Sequence, residues 1–142
     1  MQSDPSPPLC LESRLPNGIY EFVFLKNNRQ AVDEYLAIMK RYISGEDHLE
    51  LVGSAARVLI ELREPGMPPA AYMANGYRDL LLNYDTPLPS VQVGYIYSGS
   101  FLLSMARTFT MLLPVRHQIQ RRFFHISERA QAEAWLLAEA DT

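Results

Sequence analysis

The amino-acid sequence predicts an α/β domain of four strand-helix units around a mostly parallel, four-stranded sheet. Four short runs rich in β-branched and aromatic residues begin at residues 19, 57, 91 and 121. Each is followed by a longer segment whose apolar residues recur at helical spacing. Strands that alternate with helices connect by right-handed crossovers, so this order implies a parallel sheet flanked by helices.

The first unit comprises a strand at 19–25 (IYEFVFL) and the helix after it. The tripeptide PNG before the strand is a turn signal. Asn27 or Asn28 is expected to cap the helix, which ends near Gly45. The segment before this unit, residues 1–17, contains four prolines and is predicted to be a flexible tail.

The other three units follow the same pattern. The second has a strand at 57–62 (RVLIEL) and a helix that starts at Pro68-Pro69, where Gly76 indicates close packing. The third has a strand at 91–97 (VQVGYIY) and a helix from residue 98 to 113. In the fourth, a strand at 121–126 (RRFFHI) leads into a helix over 130–140.

Composition limits the classes of function. A chain of 142 residues fits one domain, here residues 18–142, and the formal charge of -3 gives no reason to expect nucleic acid or an anionic membrane as partner. The longest nearly apolar stretch, 101–113, is too short to span a bilayer. Because Cys10 is the only cysteine, no disulfide forms within the chain, and we expect a cytoplasmic protein.

The most informative pattern lies near the C-terminus. A strand with Phe123-Phe124 is followed by Ser127-Glu128 at a helix start and by an alanine-rich turn that runs into Trp135-Leu136. Together with RVLIEL and VQVGYIY, this order over residues 19–140 resembles the SpoIIAA-like or STAS superfamily, the domain type of bacterial anti-sigma-factor antagonists. The resemblance implies a SpoIIAA-like fold and a regulatory or scaffold module that docks on a protein partner.

The phosphorylation site of that family has no counterpart in this chain. The antagonists carry a phosphorylatable serine in an Asp-Ser-Ser-Gly-like stretch at the start of the helix after a core strand. The matching segment here, residues 67–71 (MPPAA), has no hydroxyl group. The resemblance therefore points to a relative outside the sigma-factor pathway, and none of the family's site residues is carried over.

Motifs for catalysis are absent from the sequence. It contains no Gly-rich phosphate loop, nucleophile elbow, paired His-Glu zinc motif or CxxC. The histidines, His48, His117 and His125, lie far apart along the chain. We therefore expect no metal and no cofactor, and the chain is predicted not to be an enzyme.

A small-molecule site is the alternative to a protein partner. Ligands of open parallel sheets gather beyond the carboxyl ends of the strands. The predicted order places there Arg63, Tyr97, Ser98, Ser100 and His125. The serines would offer hydroxyls at a helix N-terminus, which favours anions. In the simpler interpretation a serine only caps the helix, and the histidine is hydrogen-bonded at the edge of the core.

An interface is predicted from apolar residues in excess of the core faces. Phe101 and Met111 point away from the core face of the third predicted helix, and the second predicted helix carries Tyr72 and Tyr77. Aromatic residues and methionine are enriched at protein interfaces, and a two-fold homodimer is the simplest assembly. Alternatively, Phe101 and Met111 fill gaps under long loops.

These sequence features are consistent with two functions. The first is a non-catalytic regulatory or scaffold module that acts through protein-protein contact, with another protein or with itself. The alternative is a small-ligand sensor that binds an apolar or anionic molecule at the carboxyl edge of the sheet.

Overall fold

A computed structural model describes residues 7–53, 55–63, 69–82, 90–97 and 119–138 of the chain. Five strands lie in these ranges: β1 (Cys10–Arg14), β2 (Tyr20–Phe24), β3 (Ala55–Leu62), β4 (Ser90–Tyr97) and β5 (Ile119–His125). The α-helices within them are α1 (Arg29–Ser44), α2 (Ala70–Leu82) and α3 (Arg129–Ala138), and a 3-10 turn at Ile126–Glu128 precedes α3.

The strands form one sheet in the order of the sequence, β1-β2-β3-β4-β5. β1 pairs antiparallel with β2, and each later strand pairs parallel with its predecessor. The predicted α/β class with a mostly parallel sheet is confirmed. The sheet has five strands instead of four, so the predicted strand number is wrong.

The extra strand corrects the expectation that residues 1–17 form a tail. Residues 10–14 pair with β2, and Cys10 is buried. One carboxylate oxygen of Glu34 on α1 accepts the backbone N–H groups of Leu9 and Cys10, at 2.7 and 2.9 Å. Gly18 makes the turn that connects β1 and β2. Its φ of 93° would be strained for a residue with a side chain. The sequence already contained a signal for β1, because Asn17-Gly18 is typical of a hairpin turn and implies a strand on both of its sides.

Helix α1 forms where the sequence predicts it. The Asn28 side chain accepts the backbone N–H of Ala31 at 2.9 Å and so caps the helix. At the other end Gly45 adopts a left-handed conformation with a φ of 86°. The predicted first helix is therefore confirmed at both ends.

Each face of the sheet carries its own apolar cluster. The front face, defined as the one covered by α1 and α2, carries the larger cluster, with Phe22, Tyr35, Ile60, Met73, Tyr77 and Tyr95 among its members. The back face, defined as the one covered by α3, carries a smaller cluster of Ile19, Leu59, Ile96, Phe124, Ala132 and Leu136. The sheet thus has helices on both faces, as parallel sheets require.

Close packing at Gly76 is confirmed. A Cβ atom there would overlap with the Leu36 side chain, so the missing side chain lets α2 lie close against α1. The predicted third helix, 98–113, lies outside the described residues. No helix within the described ranges is both long enough and apolar enough to cross a membrane.

The position of Cys10 gives a chemical test of the β1 pairing. Burial, helped by the nearby Glu34 and Glu12 carboxylates, raises the pKa of the Cys10 thiol to about 12. We expect Ellman's reagent at pH 8 to label the native protein about a thousandfold more slowly than the urea-unfolded protein, because only the thiolate reacts. The free energy of unfolding should also fall as the pH rises from about 9 towards 12.

The comparison variant is Ser13→Cys, which places a thiol at an exposed position of the same strand. This second thiol should react at the rate of the unfolded chain. Equal reaction of both thiols in the native protein would show that β1 is not docked.

Candidate functional site

The carboxyl ends of the four parallel strands meet at one edge of the sheet, here called the carboxyl edge. The pairing places Phe24 opposite Leu62, Leu62 opposite Tyr97, and Tyr97 opposite His125. These four residues form one row across the front face. The row contains two of the residues that the sequence predicts as ligand-binding.

Tyr97 is buried, with 2% of its surface exposed, at the end of a central strand. None of the described residues forms a hydrogen bond with its hydroxyl oxygen. Burial raises the pKa of Tyr97 above its usual value, so the phenol is neutral at physiological pH. An unsatisfied buried hydroxyl costs free energy, which a bound acceptor or donor would recover.

His125 is exposed and has a structural role in the chain. Its Nδ1 atom accepts the backbone N–H of Ser127 at 3.2 Å, and its own backbone N–H donates to Glu128 Oε1 at 2.8 Å. This reciprocal pair is a capping box for the 3-10 turn. The spacing of His125 and Glu128, which the sequence shows at a strand-helix junction, therefore serves as a cap.

Arg63 lies on the other side of the carboxyl edge. Its Nε atom donates to Glu61 Oε2 at 2.7 Å, and Glu61 belongs to the back face. Arg63 and Tyr97 are therefore not brought to a common site. The two remaining predicted ligand-binding residues, Ser98 and Ser100, lie outside the described residues.

The back face carries an ion-pair network centred on Arg129 at the start of α3. Its guanidinium donates to Glu21 on β2, to Glu61 on β3 at 2.8 Å and to Glu133 on α3 at 3.0 Å. The side chains of Glu21 and Glu61 are only 14% and 9% exposed. Burial alone lowers the pKa of Arg129, but hydrogen bonds to Glu21 and Glu133 outweigh it and leave the pKa above its usual value.

Sequence reasoning missed this network. The chain positions of Arg129 and Glu61 differ by 68, and no local pattern links residues so far apart. Glu61 is buried on the back face, and its partners are Arg63 and Arg129. The network attaches α3 to two strands and does not resemble an acid-base pair, because each carboxylate is bonded to a guanidinium.

Positive potential collects on the front side of the carboxyl edge. α1 and α2 begin there, and neither has an acidic residue in its first turn. Exposed Arg29 opens α1, and its guanidinium lies 4.7 Å from the centre of the Tyr72 ring. The Tyr72 hydroxyl donates to Asp33 at 2.6 Å. Helix N-termini attract anions, and Arg29 adds a full charge to them.

The predicted interface residues separate into three groups. Tyr72 is partly exposed beside Arg29. Tyr77 is buried, with 8% exposed, and its hydroxyl is hydrogen-bonded to that of Tyr35, so its ring belongs to the core between α2 and the sheet. Phe101 and Met111 lie outside the described residues.

A small apolar cavity lies between the front face, α1 and α2. Its walls are Phe24, Asn27, Val32, Ile60, Leu62, Pro69, Met73 and Tyr95. The centre of a water molecule has about 10 Å³ available, which is room for roughly one water. Pockets for small-molecule ligands measure about 300 Å³ or more, so these walls do not enclose one.

Within the described part of the chain, no three histidine, cysteine, aspartate or glutamate residues are grouped as metal ligands are. Compared with known proteins, the chain shows no significant match to a family model, a curated protein or a solved structure. The geometry of the carboxyl edge is therefore the basis for proposing a function.

The Arg129 network predicts a large stability difference between two substitutions on α3. Arg129→Met leaves the Glu21 carboxylate buried without a cation, and we expect the free energy of unfolding in urea to fall by about 2 kcal/mol. Glu133→Gln removes only a partly exposed contact within one helix and should cost less than about 0.5 kcal/mol. Equal losses for the two variants would contradict the structural role given to Arg129.

Proposed function

We propose that this protein is a non-catalytic regulatory module that docks an acidic segment of a protein partner on the front side of its carboxyl edge. The observation that carries the proposal is the juxtaposition of Arg29 with the N-termini of α1 and α2, neither of which has an acidic residue in its first turn. The proposal includes a SpoIIAA-like fold for this module.

Local charge at this edge opposes the charge of the whole chain. The formal charge is -3, yet Lys26, Arg29 and Arg63 are exposed around the carboxyl edge. Among the described residues, Glu61 is paired with Arg63 and Arg129, and the Asp33 carboxylate accepts the Tyr72 hydroxyl. An acidic partner would therefore meet an attractive surface here, and charge complementarity raises both association rate and specificity.

The shape of the edge supports docking of a protein. Tyr72 lies under Arg29 with its ring partly exposed, which combines an aromatic surface with a cation. Arginine and tyrosine are enriched among the residues that contribute most of the binding free energy at protein interfaces. The nearby cavity, which described residues line, accommodates about one water and is too small for a ligand.

The roles of His125 and Arg63 support a non-catalytic function. The histidine caps a 3-10 turn, and the arginine pairs with Glu61 on the opposite face of the sheet. Catalysis needs several groups that converge on one reacting atom. These two groups diverge, and each has a structural partner.

The uninterrupted order of strands β2 to β5 supports the SpoIIAA-like part of the proposal. The resemblance seen in the sequence implies consecutive strand-helix units, and the sheet places these strands side by side in chain order. Segment 67–71 has no hydroxyl group, so no serine can be phosphorylated at that position. Regulation would depend instead on the charge of the protein partner that docks.

The proposal is tested by charge changes at the carboxyl edge. The double variant Lys26→Gln, Arg29→Glu changes two exposed residues at the start of α1 and in the segment that leads to it. It should bind a partner captured from the source organism about tenfold more weakly than the native chain, because two favourable charge contacts are lost. Affinity capture with quantitative mass spectrometry identifies the partner, and calorimetry with the purified partner measures the affinity.

A matched control carries the same change of net charge elsewhere. Lys40→Glu, Arg78→Gln alters two exposed residues beyond the first turns of α1 and α2, away from the carboxyl edge. This control should keep the native affinity. A partner that binds both double variants equally well would contradict docking at the carboxyl edge.

The second candidate function is a small-ligand sensor, which the Tyr97 hydroxyl favours. A buried hydroxyl without a partner is uncommon in native proteins, and no described residue bonds to that of Tyr97, so a ligand that reached it would supply a hydrogen bond. Such a ligand would enter at the carboxyl edge, where Tyr97 lies opposite His125.

The sensor is tested with Tyr97→Phe. In the ligand-free protein this variant should raise the free energy of unfolding by about 1 kcal/mol, because an unsatisfied polar atom is removed. Thermal shifts with inorganic phosphate, benzoate and octanoate then probe for ligands. A shift seen with the native chain and lost in Tyr97→Phe supports the sensor, whereas equal or absent shifts in both chains argue against it.

A further inference from the structure

The outer edge of β1 presents backbone groups that no other described strand covers. β1 lies at the end of the sheet, and residues 11–14 are all exposed. A sheet edge with unpaired N–H and C=O groups is a template for a further strand. The direction of each residue's backbone groups decides which register such a strand can adopt.

Two hydrogen bonds fix those directions. Leu25 N–H donates to Leu9 O, and Leu15 N–H donates to Ile19 O, both at 2.8 Å. In an antiparallel ladder every second residue bonds to the same neighbour. Residues 11, 13 and 15 and the carbonyl of Leu9 therefore point at β2 and the chain next to it, and residues 10, 12 and 14 point their backbone groups outward.

One of the outward groups is already satisfied. The N–H of Cys10 donates to the Glu34 side chain at 2.9 Å. Glu12 and Arg14 remain as the two residues of β1 whose outward N–H and C=O groups meet no described partner. Their side chains carry opposite charges two positions apart on the same face of the strand.

We propose that two copies of this chain pair through β1, antiparallel, with Ser13 opposite the partner's Ser13. In this register Glu12 lies opposite the partner's Arg14, and Arg14 opposite the partner's Glu12. Both pairs join outward-pointing residues, so four backbone hydrogen bonds and two ion pairs form together.

The neighbouring register is disfavoured by the same residues. Centring the pair on Glu12 would place two glutamates directly opposite each other, and like charges in that position are destabilising. It would also require the N–H of Cys10, which Glu34 occupies. Charge and hydrogen bonding thus select the same arrangement.

Helix α1 adds surface beside the edge. Glu34 bonds to Cys10, and the Tyr42 hydroxyl donates to Glu12 at 2.5 Å, so the stripe of Glu34, Ile38 and Tyr42 runs along β1 on the front face. Ile38 is only partly buried. A two-fold axis perpendicular to the sheet would bring the two stripes towards each other across the dimer.

Sedimentation equilibrium at about 0.5 mM chain tests the pairing, a concentration chosen because interfaces of this size are weak. Glu12→Arg alone and Arg14→Glu alone should each weaken the dimer about tenfold, because each substitution sets like charges opposite each other in both pairs. An equimolar mixture of the two variants should regain native association, since every introduced charge then faces its opposite.

Cross-linking tests the register. Cα atoms of a non-hydrogen-bonded antiparallel pair lie about 4.5 Å apart, which allows a disulfide, so Ser13→Cys should form a covalent dimer under mild oxidation. Leu11→Cys is the control, because its two thiols would be separated by about 13 Å along the strands. Buried Cys10 is present in both variants.

Each single substitution also removes a contact within the chain, because Glu12 accepts from Tyr42 and Arg14 pairs with Glu50. If the mixture regains association, the loss in the single variants came from repulsion between copies and not from damage to the monomer. A native chain that remains monomeric, a mixture that associates no better than its components, or equal cross-linking of Ser13→Cys and Leu11→Cys would each overturn the proposal.

Discussion

The attachment of α3 to the sheet depends on one guanidinium group. α3 has ten residues and buries only Ala132 and Leu136, and a helix of that length is not stable by itself in water. Arg129 connects its first turn to carboxylates on two neighbouring strands. These carboxylates are largely buried and need a cation, so the helix and the back face stabilise each other. The same junction positions His125, the last residue of β5, at the carboxyl edge.

Local signals in the sequence predicted most of the described elements. The apolar runs located four strands, and the Asn28 cap and Gly45 end located α1 within a residue or two. Gly76 was correctly associated with a close helix contact. These features succeed because each depends on residues only a few positions apart, where spacing in sequence determines spacing in the structure.

The features that the sequence did not predict have a different physical origin. β1 has a weak pattern, because four of its five residues are exposed, and its docking depends on Glu34 and on pairing with β2. The Arg129 network joins residues from β2, β3 and α3, which no local pattern relates. Tyrosine is common at interfaces, yet the Tyr77 hydroxyl is hydrogen-bonded to that of Tyr35 and its ring is buried. A satisfied hydroxyl makes tyrosine a core residue, and sequence alone does not reveal that partner.

The two proposed surfaces are compatible because they lie at different borders of the sheet. The carboxyl edge is formed by strand ends, whereas pairing through β1 uses the side of the first strand. A two-fold axis perpendicular to the sheet reverses the strand direction from one copy to the other. In a dimer of this kind the described strands of both copies would form one continuous sheet, and the two carboxyl edges would face its opposite ends. Neither docking site would obstruct the other, so such a dimer would hold two acidic partners apart, and its avidity would depend on a target that presents two separated acidic segments.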